Sequence, residues 1–234
     1  MLFIALSQME RDPMQGLVTI ASFTLALVVA ITFHEFGHAL SATRLGDPTA
    51  KRLGRVSLHP KAHLDPVGTV MIFLAGFGWG KPVPVNPAYL RTGERQGMTV
   101  VSLAGPMSNV VLAALFAIPM RAGVVTTAFL GFGLFYGQSN DIPAYVLGSL
   151  VFWNLLLASF NLIPLAPLDG FKVALGVLPR DLATSYAKLE RHGPMILMGI
   201  ILFDVVAPGP GILSTIIGPI LNLLSLAVLG RQLL

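Results

Sequence analysis

The residues able to do chemistry stand in "ITFHEFGHAL", residues 31–40, where His34, Glu35 and His38 fall within five positions of an otherwise apolar stretch. They fit the pattern H-E-x-x-H. On a helix, residues four apart lie on one face about a turn apart, so both imidazoles can bind one metal ion. The adjacent glutamate reaches a water at that metal and serves as its base. The alternative is a pair of histidines satisfied by neighbouring backbone carbonyls beside a neutral glutamic acid. The setting weighs against it, because ionisable residues within membrane helices are costly and mark function.

Two histidines leave a catalytic zinc site incomplete, since such sites normally carry three protein ligands and a water. The best third candidate is in "NLIPLAPLDG", residues 161–170. Pro164 and Pro167 should break the helix before them. Unwound backbone at membrane depth is tolerated only where it is buried in protein or lines a wet cavity. Asp169 follows that break, and its competing role is the N-cap of a short helix starting near Phe171. His59, His63 and Asp65 form a second cluster, but Pro60 between the histidines argues against a shared helix face, so a structural or rim role is expected. Asp204, before Pro208, reads as an interfacial residue near a helix end.

These groups must be positioned by apolar helices. The chain has 234 residues, 54% hydrophobic and 11% charged, with a mean hydropathy of +0.77; soluble domains carry roughly 25% charged residues. Apolar runs at 17–33, 98–120, 142–165, 194–207 and 211–230 are each near the length of about 20 residues that crosses a bilayer. The reading is an all-α multi-pass membrane protein of about five to six spans, the sixth being 122–141 if that apolar stretch crosses. The first span is read as retained rather than a cleaved signal, because Glu10, Arg11 and Asp12 precede it in place of a basic region. Between the first two spans, 46–97 is rich in glycine and proline. There Val67–Gly78 is too short to span and reads as interfacial or re-entrant. "KPVPVNP" reads as an extended edge or hairpin, because proline cannot donate to a central ladder. One membrane-embedded domain, 1–234, is expected, with a core at 17–193 and a C-terminal helix pair at 194–234. The net charge of +4 is not read as a nucleic-acid signal, since in a membrane protein the location of the basic residues matters more than their sum. The absence of cysteine excludes disulfides and thiolate ligands or nucleophiles.

Eight of the 15 Lys and Arg residues lie in 44–95 and four in 172–191, and Arg231 is near the end. The positive-inside rule puts these regions in the cytoplasm. His38 then lies about 10 Å of helix from the cytoplasmic end of its span, with His34 about 6 Å deeper. Asp169, at the end of another inward-running span, comes to a similar depth.

With "FHEFGHA" at 33–39, "AGPMSN" at 104–109 and "NLIPLAPLDG" at 161–170 in this order, the chain resembles the site-2 proteases, intramembrane zinc metalloproteases. "LHPKAHLDPVGT" and "GWGKPVPVNP" resemble the compact prokaryotic members, without PDZ or CBS domains. The resemblance implies one Zn2+ bound by His34, His38 and Asp169, Glu35 as general base, and Asn161 as a donor to the oxyanion. It gives Asn109 a helix-packing role. It also implies a transmembrane protein substrate cut in or near its span, in the cell membrane, with the site toward the cytoplasm. Two other classes remain open. Membrane zinc proteases of prenylated proteins use a glutamate as third ligand, for which Glu190 is the candidate, although it falls in a charged loop. A non-proteolytic zinc-binding or transport protein would also keep polar residues in its spans, but would not need Glu35 beside the histidines.

Overall fold

A computed structural model of the chain describes residues 7–10, 12–75, 78–125, 129–130, 134–135, 142–206, 209 and 211–233. The first long helix, α1 (Pro13–Arg44), starts four residues before the apolar run at 17–33. Asp12 accepts from the backbone N–H groups of Met14 and Gln15, and Pro13 occupies the first turn, where its missing N–H costs nothing. Two more long helices, α4 (Glu94–Arg121) and α5 (Ile142–Asn161), pack against α1 and against each other. The faces they share carry many small residues. Gly16, Ala26, Ala30, Ala39 and Ala42 of α1 are buried, as are Gly105, Ala113 and Ala117 of α4. Small side chains let helix backbones approach closely where water gives no hydrophobic drive.

The remaining helices are arranged around this trio. After α1 come α2 (Thr49–Arg52) and α3 (Pro66–Ala75). Asp65 caps α3 by accepting from Gly68 N at 2.8 Å. Ile72 and Phe73 of α3 dock on α1, with the Phe23 and Phe73 rings 5.3 Å apart and Phe23 and Trp153 4.8 Å apart. Beyond the proline break lie α6 (Asp169–Val177), α7 (Arg180–Ala187), α8 (Gly193–Val206) and α9 (Ile212–Leu229). Asp204, read from sequence as interfacial, accepts from Ile212 N at 2.7 Å and Leu213 N at 2.8 Å. A carboxylate near the end of α8 thus satisfies two orphan donors at the start of α9 and fixes the turn between them.

Four described helices, α1, α4, α5 and α9, are long and apolar enough to cross a membrane. The span expected at 194–207 forms the 14-residue α8, about 21 Å long against a hydrocarbon core of about 30 Å. Most of the stretch weighed as a sixth span, 122–141, lies outside the described residues. Its described part holds a turn and a two-residue antiparallel ladder, β1 (Phe129–Leu130) with β2 (Leu134–Phe135). The hairpin considered for 46–97 is reduced, among the described residues, to an isolated bridge between Leu64 and Gly80, and "KPVPVNP" runs as irregular chain. Its alternating prolines remove the donors that a ladder needs. Large apolar side chains such as Val111, Leu115, Ile118, Leu202 and Leu223 face outward, a surface that suits lipid rather than water.

Candidate metal centre

His34 and His38 point from α1 toward α4 and are 5% and 8% exposed. One glycine makes their placement possible. A Cβ on Gly105 of α4 would overlap His38 Nε2 and stand 2.9 Å from His34 Cε1, so the bare α-carbon leaves the space the two rings fill. Asp169 comes from the other side. Because α5 ends at Asn161 and the chain turns through Leu162–Leu168, the carboxylate arrives as the first residue of α6. The N-cap is Leu168 and makes no side-chain cap bond, so Asp169 is not engaged in the capping role that competed for it.

The three side chains form a triangle. His34 Nε2 and His38 Nε2 are each 3.1 Å from Asp169 Oδ2, and 3.1 Å from each other. Zinc bonds of about 2.0–2.1 Å in a tetrahedron separate ligand atoms by about 3.3–3.4 Å, so the triangle is the size of one face of such a site. The hydrogen bonds of the ring nitrogens agree. His34 Nδ1 donates to Asn109 Oδ1 at 2.8 Å and His38 Nδ1 to Val101 O at 2.7 Å. Neutral rings that donate through Nδ1 present lone pairs at Nε2, the tautomer a metal requires. Two such lone pairs then face the buried Asp169 Oδ2, which has no hydrogen-bond partner. Three acceptors at that spacing repel one another unless a cation lies between them. Among the described residues this is the cluster of His, Asp and Glu side chains able to hold a metal ion.

The layer behind the triangle was partly missed by sequence reasoning. Asn109 is fully buried and does more than pack helices. Its Nδ2 donates to Ala30 O at 2.9 Å and to Asn154 Oδ1 at 2.8 Å. With both N–H groups directed to those oxygens, the amide turns its acceptor Oδ1 to His34, and that fixes which His34 nitrogen is protonated. Asn154, also fully buried, donates onward to Leu150 O; an asparagine in an apolar helix was the available signal. Arg95 orients α6 from the far end, its Nε donating to Leu175 O at 2.7 Å and its Nη2 to Leu178 O.

The other expected residues are placed as follows. Glu35, half-buried on the next position of α1, faces Gly80, whose Cβ would lie 3.3 Å from Glu35 Oε1. Asn161 ends α5 and donates from Nδ2 to Leu157 O at 3.0 Å, a bond within its own helix. His59, His63 and Asp65 do not share a site among the described residues. His59 caps its own turn by accepting from Lys61 N, and Asp65 caps α3. His63 is fully buried and its Nε2 donates to Ser57 O at 2.6 Å. Burial pushes its imidazole below the usual value, which keeps it neutral. Glu190, the third-ligand candidate of the alternative class, lies in the exposed turn after α7 and does not join the triangle.

The chain is 35% identical over 201 residues to "Putative zinc metalloprotease YwhC" of Bacillus subtilis (strain 168), a match that covers 81% of this chain and 84% of that protein. It is 30% identical over 176 residues to "Putative zinc metalloprotease Rip2" of Mycobacterium tuberculosis (strain H37Rv), covering 71% of this chain and 62% of that longer protein. The Rip2 of Mycolicibacterium smegmatis is 26% identical over 208 residues, covering 85% and 74%. No family profile matches the chain, and no solved structure gives a significant match.

Proposed function

Because the chain belongs to the site-2 protease family of zinc metalloproteases, we propose that it hydrolyses a peptide bond in or near the transmembrane segment of a membrane-protein substrate. The observation that carries this is the triangle of His34, His38 and Asp169, with Glu35 next to His34 along α1. Those three side chains would hold the zinc, which when bound supplies a Lewis acid and makes water a nucleophile near neutral pH.

The chain's own residues do the rest. Asn109 and Val101 O hold the two imidazoles in the tautomer that presents Nε2. Glu35 takes a proton from the attacking water at its carboxylate and returns it to the leaving amine, a transfer worth about 10²–10⁴ in rate. Asn161 Nδ2 keeps a second N–H beyond its bond to Leu157 O, and this is the donor assigned to the developing oxyanion. The broken chain at 162–168 and the polar segment after α1 admit water to the site from the cytoplasmic side. Between its prolines, "KPVPVNP" offers the N–H groups of Val83 and Val85 to an extended substrate by strand addition. The protein's place is the cell membrane, its helices in the lipid bilayer, with one membrane-embedded domain carrying the reaction.

The test is bound zinc together with cleavage of a single-span substrate by wild type and Glu35→Gln. One zinc per chain is expected in both, with cleavage lower by at least about 10²-fold in the variant. Stoichiometric zinc with equal cleavage by both would overturn the mechanism, and stoichiometric zinc with no cleavage by wild type would point to a binding or transport protein.

A further inference from the structure

The segment between α1 and α4 buries two basic side chains that the mechanism leaves unused, Arg55 at 5% exposure and His63 at 0%. Arg55 spends its guanidinium on backbone. Nη1 donates to Pro82 O at 3.0 Å and Nη2 to Lys81 O. The same stretch is pinned from its other side, since Lys81 N donates to His63 O at 2.7 Å and Gly80 bridges Leu64. Further along, Asn86 N donates to Asp47 Oδ2 at 2.7 Å and Arg91 N to Leu45 O at 2.9 Å. The chain from Gly80 to Arg91 is therefore a strap fastened at three places to the end of α1 and the turns after it.

The first fastening lies over the base. A Cβ on Gly80 would stand 2.9 Å from Ile31 Cγ2, 3.2 Å from His63 O and 3.3 Å from Glu35 Oε1, so the strap passes across α1 with no room for a side chain. Arg55 Nε, a donor, and His63 Nδ1, an acceptor, are both buried without partners, a cost that a merely structural tie does not require. We infer that Arg55 and Gly80 are positioning residues for Glu35. The forked guanidinium holds the backbone of Gly80–Pro82 against α1, and the bare α-carbon of Gly80 leaves the gap in which the Glu35 carboxylate is aimed at the metal triangle. This rests on the reading of Glu35 as the base.

The experiment uses the full chain and the variants Arg55→Gln, Arg55→Lys and Gly80→Ala, each assayed for zinc content and for kcat and KM on a single-span substrate. A second readout needs no activity: the chain lacks cysteine, so Ile31→Cys beneath Gly80 reports, by its alkylation rate, whether the strap is in place. Zinc content should be unchanged. For Gly80→Ala and Arg55→Gln kcat should fall by about 10- to 100-fold, as a catalytic group displaced by about an ångström loses rate, with KM within about twofold. Arg55→Lys should recover part of kcat. The thiol of Ile31→Cys should alkylate at least about tenfold faster with Arg55→Gln than without it, as expected of a strap held by that side chain. Equal alkylation would overturn the strap, and an unchanged kcat in zinc-loaded Gly80→Ala, or an effect on KM alone, would overturn the positioning role. If wild type cleaves no substrate while the alkylation order holds, the hydrolytic reading fails and the strap stands.

Discussion

At the centre of the site one amide sets the direction of each hydrogen bond. Asn109 gives both N–H groups away, to Ala30 O and Asn154 Oδ1, and so obliges His34 to donate from Nδ1 and to present Nε2. Asn109→Ala is expected to lower zinc affinity by about 10- to 100-fold, the usual effect of removing a group behind a metal ligand. Asp169→Ala, which removes the proposed third ligand, should lower it further. Chelator competition measures both, and an unaltered affinity in Asp169→Ala would place the third ligand elsewhere. H-E-x-x-H was legible in the sequence because helical spacing alone puts its histidines side by side. Asn109 was legible as a polar residue in an apolar helix, but which atom it bonds depends on two neighbouring helices and is not written in its own motif.

Two side chains at the ends of elements do the work of placement. Arg95, at the start of α4, bonds the last carbonyls of α6, which have no partners within their own helix. Arg95→Met should lower stability by about 1.5–3 kcal/mol, as for hydrogen bonds to a charged group, read as thermal unfolding in detergent. Asp47, fully buried just after α1, accepts from Thr49 N, Thr49 Oγ1 and Asn86 N. Burial alone would raise its carboxyl, but the bonds from Thr49 and Asn86 and the charge of Arg52 outweigh it and hold it below 3.8. Its folded value is depressed, so its contribution is full above the unfolded value near 3.8 and is lost as pH falls through the folded one. Asp47→Asn should therefore reduce stability at neutral pH and flatten the acid side of the profile below about pH 4, followed by unfolding midpoints across pH. Neither role could be read from sequence, since each joins residues dozens of positions apart.

Eight of the 15 Lys and Arg residues lie in 44–95 and four in 172–191, and the proposed orientation puts those two segments in the cytoplasm. The cysteine-free sequence makes this testable with single cysteines at exposed Lys61, Arg191 and Val124. An impermeant thiol reagent should label Val124→Cys alone in intact cells, and Lys61→Cys and Arg191→Cys alone in inverted vesicles; the opposite pattern would invert the topology. The same scale separates what chain and fold each decide. Hydropathy determined the all-α membrane architecture, because runs of about 20 apolar residues satisfy their backbone within a bilayer as helices, and local spacing determined the face shared by His34 and His38, with Glu35 one position on. The proline pair predicted the break before Asp169 for the same local reason. Only the tertiary structure brought Asp169 to within 3.1 Å of both imidazoles, cleared their space with Gly105 and laid the Gly80 strap across Glu35. Those distances are set by side-chain packing between helices far apart in sequence, and no periodicity within one helix encodes them.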